Sequence, residues 1–233
     1  MLTCDIIIIM NVILFIIITI IFFILIIASI LLTSPGYVRD RFKHPEEWKN
    51  KGSSGERILY NTLVNDYGIP DKQILRNVYI PTKGDKTTEI DLLVISKKGI
   101  FVFECKNYGG NIYGDAKRKE WIQYLGSKKS YFYNPLLQNK NHVKHLKDYL
   151  KIEVPITPLV TTISRGKWKI KNLGDNDYIL GFNCHLKEIY DNMPESEPMK
   201  YHFNQIVDKL KPLSRPDEEI VLKHISQTEQ NKF

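Results

Sequence analysis

The sequence predicts an α/β domain carried behind one long apolar helix, and three observations predict it. Residues 6–32 form a single apolar run, broken only by Asn11, Thr19 and Ser29. Beyond it, short β-branched and aromatic runs bounded by turn residues alternate with segments of helical period and then give way to them. Two of those runs, residues 90–95 and 100–103, flank a Ser-Lys-Lys-Gly turn and are apolar at nearly every position. That is the pattern of strands covered on both faces in the middle of a sheet.

The apolar run comes first in the chain. At about 1.5 Å per residue it exceeds a hydrocarbon core of about 30 Å. A cleavable signal would want a basic start and an apolar stretch of about 7–15 residues. Here the start is Met-Leu-Thr-Cys-Asp and the run is far longer, so residues 1–33 read as a retained transmembrane anchor. No basic residue precedes it, whereas Arg39, Arg41, Lys43, Lys49 and Lys51 follow closely. The positive-inside rule then places the N-terminus outside and the remainder in the cytoplasm. Cys4, Cys105 and Cys184 show neither a pairing pattern nor zinc spacing, which fits a reducing compartment. All 33 Lys and Arg lie beyond the run, against 25 of the 26 acidic residues, a formal +8. Such a domain suits an anionic partner, either nucleic acid or the inner leaflet.

Residues 34–52, with Pro35-Gly36 and Pro45, read as a polar linker. Ser53-Ser54-Gly55-Glu56 opens a helix whose apolar face carries Ile58, Leu59, Leu63 and Val64. Residues 73–80 form a strand stopped by Pro81-Thr-Lys-Gly-Asp, and the central hairpin follows. Residues 107–114 make a glycine-rich turn with one short strand, and Lys117-Arg-Lys-Glu-Trp121 a solvated loop with one core anchor. Asn134-Pro135 starts a helix. Leu136, Val143, Leu146 and Leu150 lie on one face of it, and Lys140, Lys144, Lys147 and Lys151 on another. This lysine stripe is either a solvated face or a phosphate-contacting one, and His142 and His145 beside it read as surface residues. Strands at 159–164 and 178–182 and helices at 185–192, 201–210 and 216–230 complete the chain.

Three charges interrupt the central hairpin: Asp91, Glu104 and Lys106. If the turn centres between Lys97 and Lys98, paired residues sum to 195 and Asp91 lies opposite Glu104, with Lys106 two residues on along the same face. Two opposed carboxylates repel unless a cation sits between them. The trio is therefore either an open site for a metal such as Mg²⁺, which takes one or two carboxylates plus water and phosphate oxygens, or a structural ion cluster. Glu56, in its helix's first turn, reads locally as a capping charge.

The order helix, strand, Ile-Asp strand, Glu-Cys-Lys strand, helix resembles the PD-(D/E)XK nuclease core, and more closely the nuclease-related domain (NERD) family. The residues carrying the likeness are Gly55-Glu56, Glu89-Ile-Asp91, the string from Gly99 through Glu104-Cys105-Lys106, Gly110, Ile112, Gly114, Trp121, and Asn134-Pro135 followed by Gln138. Ile90 stands where many PD-(D/E)XK enzymes have proline, as is normal for the nuclease-related family. The likeness covers roughly residues 51–151.

The resemblance implies a mixed central sheet flanked by helices, with a nuclease core over 53–151 and an α/β extension of the same domain over 152–233. By the same resemblance Asp91 and Glu104 hold a divalent ion, Mg²⁺ or Mn²⁺, with the backbone carbonyl of Cys105 as a further ligand. Lys106 positions or activates the attacking water and offsets transition-state charge. Glu56 is an auxiliary acid, and Gln138 faces the site from the later helix. The expected partner is nucleic acid, DNA in preference to RNA, contacted through Lys140, Lys144 and Lys147. The expected activity is a membrane-anchored phosphodiester hydrolase; the alternative is a tethered binding or scaffold module that catalyses little. The residues define no oligomeric state.

Overall fold

The computed structural model describes residues 2–33, 51–163, 166–181, 186–215 and 218–230. Residues 34–50 of the expected linker over 34–52 lie outside the described residues. So do Ser164, Phe182, His185 and Pro216, where expected strands or helices were to end or begin.

Helix α1 (Leu2–Thr33) is about 48 Å long at 1.5 Å per residue. Its segment Val12–Ile30 is long and apolar enough to cross a membrane, and none of it is buried against the rest of the chain. Helix α2 (Lys51–Asn61) begins two residues before the expected Ser53, inside the segment read as linker, and continues through a π-helical turn at Thr62–Asp66.

The central sheet has the strand order β1-β2-β3-β7-β9. Strands β1 (Ile74–Thr82), β2 (Lys86–Ser96) and β3 (Gly99–Lys106) form an antiparallel meander. Strands β7 (Ile156–Thr162) and β9 (Tyr178–Leu180) add on in parallel beside β3. The strand pattern of 90–95 and 100–103 is explained by this position: β2 and β3 are interior strands. One face carries Leu93, Ile95, Ile100 and Val102 and packs on helix α3 (Pro135–Leu150) through Leu146 and Leu150, and on helix α5 (Glu197–Leu210) through Ile206 and Leu210. The other carries Leu92, Val94, Phe101 and Phe103 and packs on α2 through Leu59 and Leu63, and on helix α4 (Leu186–Asn192) through Leu186. Helix α6 (Glu218–Gln230) lies against β2, where His224 Nδ1 is 3.0 Å from the Thr87 hydroxyl.

A second mixed sheet, in the order β6-β5-β4-β8, is built from β4 (Asn111–Asp115), β5 (Glu120–Leu125), β6 (Lys128–Tyr133) and β8 (Lys167–Lys171). The sequence reading saw only β4 here. The segment taken as a solvated loop ending at Trp121 is a turn that enters β5, and Trp121 is fully buried. Two glycines of the motif set explain themselves in this sheet. A Cβ on Gly114 would sit 2.5 Å from the Trp121 ring, and one on Gly110 (φ +77°) would sit 2.1 Å from the Tyr124 carbonyl oxygen. Only glycine admits the indole and the neighbouring backbone that closely.

The later strands join the two sheets already described. β7 completes the central sheet beside β3, and Val160 joins Ile112, Trp121 and Leu136 in the core shared by the two sheets.

Candidate active site

The register of the central hairpin decides what its charges can do. Leu92↔Phe103, Leu93↔Val102 and the pairs down to Ser96↔Gly99 all sum to 195, as expected from a turn at Lys97-Lys98. Asp91 and Glu104 are the next positions beyond the last of these pairs. There the Cys105 backbone N–H donates to Asp91 Oδ2 at 2.7 Å, tying the two strand ends together.

The neighbouring hairpin is irregular at the same level. In β1, Leu75 and then Val78 and Ile80 join the α3 side; in β2, Ile95, Leu93 and then Ile90 do. A spacing of three replaces two in both strands, so side-chain alternation changes phase at Asn77 and Asp91. Asn77 has φ +48°, the left-handed region that asparagine tolerates better than most residues. That conformation aims its amide at the site, where Nδ2 donates to Glu56 Oε2 at 3.1 Å and to Glu89 Oε1 at 3.2 Å. Gly55 lets α2 come this close, since its Cβ position is 3.2 Å from Asn107 Cβ and 3.6 Å from Cys105 Sγ. Glu56 thus faces the site from within α2; it does not cap the helix.

From the other side, α3 delivers two groups one turn apart. Asn134 caps this helix by accepting from the Leu136 and Leu137 N–H groups, and its own amide donates to the carbonyls of Ala116 and Arg118. Gln138 Oε1 then accepts from Lys106 Nζ at 3.2 Å. His142, four residues on, places Nε2 3.1 Å from Glu104 Oε2, while its Nδ1 is 2.8 Å from the Thr88 hydroxyl. Glu104, 1% exposed, is held at its other oxygen by Lys106 Nζ at 2.6 Å. A carboxylate only accepts, so Nε2 of His142 carries the proton. His142 is buried, which corrects its reading as a surface residue. Asn139, between the two, donates to the carbonyls of Val102 and Leu159 and pins α3 to β3 and β7.

These contacts set opposite proton affinities on neighbouring acids. Burial, and then the charges of Glu104 and Glu56, push the Asp91 carboxyl well above its ordinary range. Burial also raises Glu56, opposed by the Asn77 hydrogen bond. Burial works on Glu104 too, but the hydrogen bond from His142 and the charge of Lys106 outweigh it and leave Glu104 below its ordinary value. Lys106 is desolvated, yet Glu104 holds it protonated, above its usual value. Burial and Asp91 raise the Cys105 thiol, so it is not a nucleophile poised for attack. The site therefore carries two acids that resist ionisation beside one that does not; an added cation nearby would favour their charged forms.

The donors match a hard cation: carboxylate oxygens of Asp91 and Glu104 and a backbone carbonyl at Cys105. Among the described residues, no three or more His, Cys, Asp or Glu side chains gather into a ready-made metal cage. Two carboxylates with water suffice for Mg²⁺, which is seldom held by all-protein cages. The remaining expected residues lie elsewhere. Lys140, Lys144 and Lys147 are exposed on α3, on the flank opposite Gln138 and His142 at 100° per residue. Lys140 pairs with Asp177 at 2.6 Å. Lys144 borders a groove of about 830 Å³ with Lys83, Lys151 and Lys209.

Comparison with known proteins places this constellation. Residues 51–163 match the family model of the nuclease-related domain. Over this stretch the chain is similar to the nuclease-related domain. Its match contains Glu56, Asp91, Glu104, Lys106, Gln138 and His142, and it runs through β7, past the boundary at 151 expected from the sequence. An uncharacterised protein of Bacillus anthracis is 29% identical over 192 residues, covering 82% of this chain and 88% of that one. No solved structure matches.

The sequence reading gave no site role to four residues that the structure brings to the candidate site: Asn77, Thr88, Glu89 and His142. His142 carried a usable signal, its i+4 spacing from Gln138 on one helix face. The other three depend on how β1 and β2 register and change phase.

Proposed function

We propose that the chain is a divalent-metal-dependent nuclease acting on phosphodiester bonds of nucleic acid, tethered to a membrane by α1 with its domain on the cytoplasmic side. The observation that carries this reading is the convergence of Asp91, Glu104 and Lys106, buttressed by Gln138, His142 and Asn77, within the nuclease-related match.

Asp91, Glu104 and the Cys105 carbonyl would hold Mg²⁺ or Mn²⁺. Such an ion, when bound, lowers the pKa of a water and offsets charge developing on the phosphate. This chain's own groups supply the rest. Lys106, protonated and oriented by Gln138, donates from Nζ toward an attacking water or a phosphate oxygen. His142, itself braced by Thr88, fixes the carboxylate plane of Glu104. Asn77 holds Glu56 beside Asp91, where a raised proton affinity suits an auxiliary acid that takes up or returns a proton. The orientation rests on the basic residues that follow the apolar helix.

One observation favours a second reading. Both oxygens of Glu104 are engaged, by Lys106 and by His142, so a site that keeps this closed arrangement would bind nucleic acid and catalyse little.

The test is cleavage of labelled single- and double-stranded DNA and RNA by the full chain in detergent, with Mg²⁺, Mn²⁺ or chelator, beside Asp91→Ala and Lys106→Ala. Metal-dependent cutting that both substitutions abolish supports the nuclease. Metal binding by calorimetry without cutting supports the binding module. Absence of metal binding refutes the site.

A further inference from the structure

The second sheet has one face inside the protein and one outside, and the outer face is unusual in composition. The inner side carries Ile112, Trp121, Phe132, Trp168 and Ile170. The pairings put the outer residues in rows across the four strands. One row is Tyr131, Ile122, Tyr113 and Lys169; the next is Lys129, Tyr124, Asn111 and Lys167; at one end Tyr133 pairs with Glu120 and Asp115 with Lys171. The two rows hold three tyrosines and three lysines and no acid.

The tyrosines are open. Tyr113 is 38% exposed, Tyr124 37%, Tyr131 58% and Tyr133 51%. Their rings are arranged as a surface: Tyr113 and Tyr124 meet edge to face at 5.6 Å between centroids. Lysine ammonium groups hang over the rings, Lys129 at 4.9 Å from the Tyr131 centroid and Lys169 at 5.4 Å from that of Tyr113. Shallow depressions flank the rows, one of about 610 Å³ beside Tyr113 and Tyr124 and one of about 520 Å³ beside Tyr131 and Tyr133, with Arg118 and Lys119 at the latter's rim. Tyr113 and Tyr131 lie two strands apart, about 10 Å, with Tyr124 off the line between them. Three such platforms accommodate two or three unstacked bases.

We propose that this face binds single-stranded nucleic acid, with bases stacked on Tyr113, Tyr124 and Tyr131 and phosphates met by Lys129, Lys167 and Lys169. The inference rests on the nuclease reading and assigns it a substrate class. Stacking on aromatic side chains with lysines tracking the backbone is the general physics of sequence-tolerant single-strand binding, whereas a duplex keeps its base faces covered. A lipid surface fits less well, since the face offers only Ile122 as a large aliphatic and ends in Glu120 and Asp115. The connection to the site is short: four residues separate Lys106, the end of β3, from Asn111, the start of β4. A strand lying on this sheet is thereby led toward Glu104 and Asp91.

The experiment is fluorescence anisotropy of the full chain in detergent, in chelator, titrated into labelled oligo(dT) and oligo(U) of about 20 nucleotides and into a duplex of equal length. Tyr131→Ala and Tyr113→Ala should each weaken single-strand binding about 5–150-fold, with Tyr131→Phe within about twofold of wild type. Lys129→Ala and Lys169→Ala should each reduce the salt slope by about 0.7. Circular dichroism melting verifies folding, and Tyr131, the most open of the four, is the substitution least able to disturb it.

Duplex binding as tight as single-strand binding, or single-strand affinity unchanged in Tyr131→Ala, overturns the proposal. So does a loss in the tyrosine variants confined to vesicles of anionic phospholipid. Tyrosine-dependent binding by a chain that never cuts leaves this face standing and removes the nuclease. Cutting with tyrosine-independent binding does the reverse.

Discussion

Removing His142 tests how the Glu104 carboxylate is held. The imidazole supplies one of the two donors that Glu104 has, and both partners are buried. In His142→Ala one carboxylate oxygen loses its donor inside the protein and the Thr88 hydroxyl loses its partner. An unsatisfied buried acceptor costs about 1–3 kcal/mol, and the broken half of a buried ionic pair about 3–5 kcal/mol. Lys106 still holds the other oxygen, so we expect about 3 kcal/mol. At about 2–4 °C per kcal/mol for a domain of this size, the melting temperature in chelator falls by about 6–12 °C. His142→Gln, which retains one donor, should lose less than half of that.

The pH dependence has a definite sign. Glu104 titrates below its ordinary value near 4.5, so its stabilising contribution is present above that pH and is lost as pH falls through the depressed folded-state value. The gap between wild type and His142→Ala should therefore narrow below about pH 4.5. A double-mutant cycle with Glu104→Gln isolates the pair. A coupling under about 0.5 kcal/mol, or a gap unchanged between pH 7 and pH 4, would refute the bracing role.

Asp91 behaves in the opposite sense. Its raised proton affinity means that ionisation costs stability once pH rises above the ordinary value near 3.8, so metal-free Asp91→Asn should melt at or above wild type at pH 7. That advantage should vanish toward pH 4, and Mg²⁺ should raise the melting temperature of wild type but not of this variant. Gly114→Ala drives a methyl to 2.5 Å from the Trp121 ring and should cost about 1–3 kcal/mol of overpacking in thermal melts. Gly126→Ala, with open space but φ +62°, should cost about 1 kcal/mol. Asn134→Ala loses the α3 cap and the donor to two carbonyls; we expect about 2–3 kcal/mol in denaturant titrations. On the proposed function, displacement of Gln138 should also lower the rate of metal-dependent cleavage.

Much of this was legible in the sequence. The central hairpin could be registered to the residue because its turn was short and its strands continuous. The Asn134-Pro135 start of α3 announced itself through capping chemistry. The second sheet was not legible because its outward positions are Lys, Tyr and Glu while its inward ones are single aromatics such as Trp121 and Phe132. Those short alternating segments look like charged loops until they are paired. His142 was hidden by the lysines around it, since a helix face is judged by neighbours in sequence although its company in space is set three and four residues away. Thr88 and Glu89 could not be placed by counting alternation from Ile95, because the count fails at Asp91.

The phase change at Asn77 also narrows the choices open to that position. The residue must accept φ +48° and donate from its side chain to two carboxylates at once. Glycine keeps the backbone and drops the clamp; aspartate keeps the shape and adds a fifth acid to Glu56, Glu89, Asp91 and Glu104. Lysine or arginine brings charge but resists the backbone. Position 77 is a bottleneck in substitution space: divergence of this site can pass through its clustered acids only while one amide, in one uncommon conformation, stays where it is.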